Sequence, residues 1–173
     1  MGSLYCATPL PTFVEDICAN EAGRILAAVL MRSDHFITDP TVKGQWDANI
    51  LEGKVVIIKN VRGERPKSTD VTEDGFGRQQ TQSISRDFTA QYFHPDVIGN
   101  EDFYEVLNQD RAHSFWYYTQ DNRIWDTGNA IANFDADAPV PIGLNSQIMW
   151  DVAVSWSGTK IPKGFAAPAG IFE

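Results

Sequence analysis

Along Gln147–Ser157, large apolar side chains alternate with small or polar ones. Ile148, Trp150, Val152, Val154 and Trp156 share one parity; Met149, Asp151, Ala153, Ser155 and Ser157 share the other. Successive side chains of a strand point to opposite faces, so this stretch predicts a strand buried on one side only. The same period recurs over Gln79–Phe93, where Ile84, Phe88, Ala90 and Tyr92 fall together. Lys54–Lys59 is a β-branched run and predicts a short strand. Ile25–Met31 fits either a buried strand or a short helix, and the β-rich remainder favours the strand. Ser114–Gln120 and Arg123–Trp125 flank Asp121-Asn122, two residues that tolerate positive φ, and so predict a tight hairpin. A further strand is expected near Ala130–Phe134.

A helical period is visible in two places. Asn100 suits an N-cap, Glu101 and Asp102 the first turn, and Phe103, Val106 and Leu107 one face, which predicts a helix over 101–109. Thr41–Leu51, with Trp46, Ile50 and Leu51 at helical spacing and Gly53 after it, fits one or two further turns. Between the strands at 54–59 and 79–93 lies a polar tract, Asn60–Gly77, with Pro66 and three glycines. It predicts a long excursion, and long ordered loops are usually functional. Residues 1–20 and 160–173 read as arms flanking a core at 21–159. The expected fold is a single mainly β domain, an antiparallel β-sandwich or barrel with one short flanking α-helix and extended N- and C-terminal arms.

A chain of 173 residues can bury a core without disulfides or a metal. Five Trp, five Tyr and ten Phe suit sheets and interfaces. The net charge of −9 disfavours tight binding to nucleic acid or to an anionic membrane. It is compatible with an acidic wall past which DNA moves without sticking, and equally with plain solubility. Cys6 and Cys18 form no paired motif; they allow a disulfide near the N-terminus, but two reduced thiols are the favoured expectation. No basic region followed by an apolar stretch opens the chain, and Ile25–Met31 is too short to span a bilayer, so neither signal peptide nor membrane span is expected.

Candidate chemistry is sparse. His35, His94 and His113 lack metal-ligand spacing and read as turn or strand-end residues. Asp135-Ala-Asp137 and the run Asp121–Asp126 lack the glycine and distal glutamate of a calcium loop. Gly75-Phe-Gly77 has neither a third glycine nor a phosphate-binding lysine. No catalytic residue, metal or cofactor is therefore expected, and an enzyme using paired carboxylates or a cysteine is the least favoured class. Trp116, Tyr117, Tyr118 and Trp125 stand on adjacent strands of the hairpin, so alternate rings must face outward. They form a sugar-stacking platform, a subunit interface, or a layer buried on both faces; Trp116, Tyr118 and Trp125 are the interface or stacking candidates.

From Lys54 to Trp156 the order of elements forms a pattern. It runs strand, charged loop, Thr72-Glu-Asp-Gly-Phe-Gly77, strand to Phe93, capped helix, hairpin ending Ile124-Trp-Asp126, and the Trp150 strand. This order resembles small virion structural proteins of tailed bacteriophages, particularly tail-tube-like and head–tail connector-like proteins. The resemblance implies a non-enzymatic subunit that closes into rings through sheet contacts and stacks them through a long loop and arms, around an acidic lumen. It implies as partners further copies of the chain and neighbouring virion proteins, in a virion assembled in the host cytoplasm. The implied assembly loop carries Arg62, Glu64, Arg65, Lys67, Glu73, Asp74 and Phe76, and deleting Glu64–Glu73 should spare the fold and stop assembly. Trp46 and the first 50 residues lie outside the pattern. The alternative is a carbohydrate-binding β-sandwich module using exposed aromatics.

Overall fold

The computed structural model describes residues 10–13, 23–34, 37–74 and 81–173, without the side chains of 74 and 81–83. Its elements are β1 (Ile25–Arg32), α1 (Lys43–Leu51), β2 (Val55–Ile58), β3 (Arg62–Glu64), β4 (Thr69–Asp74), β5 (Thr81–His94), α2 (Glu101–Gln109), β6 (His113–Thr119), β7 (Arg123–Asp126), β8 (Asn133–Asp137), β9 (Trp150–Gly158) and β10 (Lys163–Ala166). The strands form one antiparallel sheet in the order β10-β7-β6-β1-β3-β5-β9-β8, with β2 added to β1 and β4 to β5. The sheet is open rather than closed, which favours the sandwich over the barrel.

One sheet makes two facing layers because the chain changes partner in mid-course. β2 pairs with β1 over Val55–Ile58, then Asn60 takes φ 59°. Beyond it β3 keeps a single pairing to β1, Ile25 to Gly63, and runs instead along β5. Strands that switch sheets at a bend are how sandwich corners are made. At this corner Gly63 lies so close to β5 that an added Cβ would sit 2.5 Å from the Gln91 carbonyl oxygen.

The main core lies between the two layers. Phe88, Tyr92, Trp150, Val152, Val154 and Trp156 meet Leu30, Phe115 and Tyr117 from the other layer. Phe115 is the hub, with ring centroids 5.7 Å from Trp156, 6.2 Å from Tyr92 and 6.4 Å from Phe134. The parity read along β9 is observed: Trp150, Val152, Val154 and Trp156 are buried, while Ala153, Ser155 and Ser157 are exposed. Ile148 precedes the strand and stays exposed.

A second core covers the outer face of β1, β6 and β7. Here Val29, Met31, Trp116, Tyr118 and Ile124 are roofed by Trp46 of α1 and by Ile171 and Phe172. The C-terminal arm is thus extended but lies on its own body, with Lys163–Ala166 paired to β7. Of the N-terminal arm only Leu10–Phe13 is described, with Leu10 and Phe13 exposed; Cys6, Cys18 and His35 lie outside the described residues.

Two expectations need correction. Among the described residues there are two helices rather than one, since the turns read over Thr41–Leu51 form α1 beside α2. The excursion Asn60–Gly77 is not a loop, for it contains β3 and β4, both paired to β5. Deleting Glu64–Glu73 would therefore cut the corner strand and its neighbour rather than spare the fold.

Among the described residues, the Tyr92 hydroxyl is the buried side-chain group with no partner in good hydrogen-bond geometry, its nearest polar neighbour being Tyr104, whose own hydroxyl is turned to His94. Burial, then the neighbouring Tyr104, push the Tyr92 phenol well above the usual tyrosine range. Removing an unpartnered buried hydroxyl abolishes a desolvation cost without breaking a bond. Tyr92→Phe is therefore expected to stabilise the fold by about 1 kcal/mol, read from the urea midpoint at unchanged slope. A loss of similar size would mean that the hydroxyl is satisfied.

Candidate assembly surface

The residues assigned to the assembly loop separate into three environments. Arg62 and Glu64 are exposed on β3, opposite Phe93 and Gln91 of β5. Arg65 turns inward: its guanidinium stands 5.8 Å from the Phe88 ring centroid and donates to the Pro66 carbonyl at 3.3 Å. It also lies beside Tyr117, whose phenol burial raises and Arg65 partly restores. Lys67 is exposed before β4, and Glu73 is exposed on it. The Asp74 side chain and all of Phe76 lie outside the described residues.

β4 and the first part of β5 build a two-stranded ribbon. β5 is 14 residues long, and its register with β9 ends at Arg86 opposite Gly158. From Thr81 to Ser85 only β4 accompanies it, with Val71 opposite Ser85 and Thr72 opposite Ser83. Ile84 is the extra residue of a bulge there, 49% exposed. Bulges bend and twist the strand that carries them. The ribbon is polar and solvated, which is why hydrophobic periodicity did not reveal β4.

Two of the three aromatic candidates are buried. Trp116 is fully buried, donating from Nε1 to the Gly128 carbonyl at 3.2 Å. Tyr118 stacks on Phe172 at 5.3 Å and donates to Asn122 Oδ1 at 2.6 Å. Trp125 is half-buried, stacked on Tyr117 at 6.0 Å, with its ring 3.3 Å from the Cβ position of Gly164. Sugar stacking on Trp116 or Tyr118 is therefore corrected: the chain's own α1 and C-terminal residues cover them. Of the three readings, burial on both faces is observed for Trp116 and Tyr118, while Trp125 keeps part of its ring at the surface.

Acidic side chains predominate on one face of the sheet. The outward face of the β3-β5-β9-β8 layer carries Glu64, Asp87, Asp135, Asp137 and Asp151 with Arg62 among them, and the register sets Asp137 directly opposite Asp151. Like charges in opposed positions are unfavourable. Gln91 donates to Asp151 Oδ1 at 2.7 Å, and Ala153, Ser155 and Ser157 keep the remaining surface low. Beginning at Arg62 and Phe93 of the same face, a cleft of about 960 Å³ gathers Arg24, Lys59 and Arg62 with one acid, Glu173, over an apolar floor.

Sheet edges differ in how they are finished. Beside β8, the Asn108 amide of α2 donates to the Ala136 carbonyl at 3.0 Å and accepts from its N–H at 2.6 Å. A side chain thereby takes the place of a neighbouring strand. β10 and β4 have no second strand beside them among the described residues. The stretch between β8 and β9 is a further surface: Val140, Ile142 and Leu144 are 77%, 105% and 104% exposed. Its signal was present in Pro139-Val-Pro-Ile-Gly-Leu144, six residues without a polar side chain.

The described histidines hold strand ends. His94 faces the Tyr104 hydroxyl at 3.1 Å, and burial lowers its pKa while Asp96 opposes the shift. His113 Nδ1 pairs with Asp110 Oδ2 at 2.8 Å. Among the described residues no three His, Cys, Asp or Glu side chains come close enough to hold a metal, and no helix is long and apolar enough to cross a membrane. No family model, curated protein or solved structure matches the chain.

Proposed function

We propose that this chain is a non-enzymatic structural subunit that assembles with copies of itself into a ring or tube, as a bacteriophage tail or head–tail connector component does. The observation that carries the reading is the ribbon of β4 and β5 running past the last residue that β9 supports. A two-stranded ribbon is marginal in water by itself and gains stability when a further strand or surface adds to it. The free edges of β4 and β10 offer backbone groups for such addition. The acidic face of the β5-β9-β8 layer suits the wall of a channel for DNA, since carboxylates repel phosphate and leave no basic footprint to hold it.

The test shortens the ribbon at its paired positions, replacing Thr72–Ile84 by Asn-Gly so that Val71 and Ser85, which already face each other, are joined by a two-residue hairpin turn. The parent is expected to form rings or tubes by light scattering and negative-stain microscopy. The shortened chain should keep its circular dichroism and urea midpoint but run as a monomer, at the parent chain's 19.3 kDa less eleven residues. A shortened chain that still builds the parent's assemblies would count against the ribbon. A parent that stays monomeric at every concentration would count against the reading itself.

A further inference from the structure

We infer that the apolar segment between β8 and β9 of one copy docks in the basic-rimmed cleft of a second copy. The inference rests on the self-assembly reading and names the surfaces that meet. Ile142 and Leu144 stand wholly in water, and Val140 nearly so. Pro139 and Pro141 fix two backbone φ angles and remove two N–H donors, so the segment is stiff and cannot lie down as a ladder strand. A stiff segment loses less freedom on binding. The Ser146 N–H closes its tip by donating to the Gly143 carbonyl at 3.2 Å.

The cleft has the complementary character. Leu26, Val61, Phe93 and Phe172 give it an apolar floor, and its volume of about 960 Å³ is in the range that takes a short segment. Arg24, Lys59 and Arg62 outnumber Glu173 on its rim, in a chain whose net charge is −9. The apolar segment leaves the sheet directly after Asp135 and Asp137, both exposed. An acidic stem with an aliphatic tip thus matches a basic rim with an apolar floor. Patches that are complementary but distinct make a head-to-tail contact, which propagates into a ring or a filament rather than stopping at a pair.

The test titrates the full chain with a labelled peptide spanning Phe134–Met149 and measures its assembly in parallel. Saturable peptide binding is expected, weakened roughly tenfold or more by Ile142→Asp with Leu144→Asp in the peptide, and likewise by Lys59→Glu with Arg62→Glu in the protein. The same Ile142 and Leu144 changes in the full chain, at exposed positions where the fold does not need them, should raise the dissociation constant of the assembly by a similar factor. No saturable binding, or binding indifferent to the Lys59 and Arg62 changes, overturns the docking. So does an apolar anion such as dodecanoate filling the cleft in the peptide's place. A chain that assembles normally with both segment changes and ignores the peptide loses the docking and keeps the self-assembly reading. A monomeric chain that binds the peptide keeps the docking and loses the ring or tube.

Discussion

Trp46→Ala should lower the unfolding free energy by about 3–5 kcal/mol, a large share of what a domain of this size possesses. Trp46 is fully buried and is the main apolar contribution of α1, since Ile50 and Leu51 of the same helix are 39% and 88% exposed. It meets Phe172 edge-on at 4.9 Å and Trp116 at 5.9 Å, so one ring joins the helix, the C-terminal residues and β6. Its Nε1 also donates to the Pro40 carbonyl at 2.9 Å. The other ties of α1 are polar, among them the Lys54 N–H donating to the Asn49 carbonyl at 3.0 Å. Its N-cap Val42 offers no side-chain hydrogen bond, and the preceding turn relies on Asp39 and Gln45, whose side-chain oxygens accept from Thr41 and Thr38. Urea unfolding followed by tryptophan fluorescence would measure the loss. Trp46→Phe, which keeps most of the apolar volume and drops the indole donor, should cost clearly less. A loss below about 1 kcal/mol for the alanine variant would mean that the second core contributes nothing to global stability.

The legible parts of the fold were those with a local signal. β9 announced itself by alternation because one of its faces is core and the other water. The hairpin at Asp121-Asn122 did so by its turn residues, and Asn122 does take φ 60°. The helix over 101–109 was legible in extent but not in orientation. Tyr104 and Leu107 face inward, while Phe103 and Val106 are 37% and 70% exposed, because Tyr104 can stack on Trp150 at 4.6 Å and reach His94 with its hydroxyl.

The remainder depended on partners distant in sequence. Trp116 and Tyr118 are covered by Trp46 and Phe172, which approach from either side along the chain, and no local pattern reports such a roof. β3 and β4 are solvated strands held by backbone pairing, so they carry no hydrophobic period. Arg62 and Glu64 were legible as surface charges; Arg65 was not legible as a ring contact, because its partner Phe88 is 23 positions away by number. Arg24 and Lys59, which join Arg62 in the cleft, are brought there by folding alone.

The corner at β3 carries the second large expectation. Gly63→Val should destabilise the chain by roughly 3 kcal/mol or more, toward the upper end of what overpacking costs. The added Cβ would lie 2.5 Å from the Gln91 carbonyl oxygen, 2.7 Å from Tyr92 Cβ and 3.0 Å from Tyr92 Cα. Two of these atoms are backbone, and Tyr92 Cβ is fixed to it, so no rotamer change relieves the clash; β3 must leave β5. Because the Cβ itself collides, Gly63→Ala should already carry most of the penalty. Two other glycines calibrate the argument within the same chain. At Gly164 the nearest atoms belong to the Trp125 ring at 3.3 Å, and a ring can give way by a few tenths of an ångström, so Gly164→Ala should cost about 1 kcal/mol. At Gly44, inside α1, nothing lies within 4 Å, and alanine is the better helix former, so Gly44→Ala should stabilise by roughly 0.5–1 kcal/mol. The order Gly63, Gly164, Gly44 in urea midpoints is the result to look for. If Gly63→Ala proved as mild as Gly164→Ala, β3 would not be the tight corner, and the two layers would be joined by the core alone. If it proves severe, the corner fixes the direction in which the β4–β5 ribbon leaves the body, because β3 leads into β4 and both pair with β5. An assembly that depends on that ribbon should then be weakened by Gly63→Ala even under conditions where most of the chain remains folded.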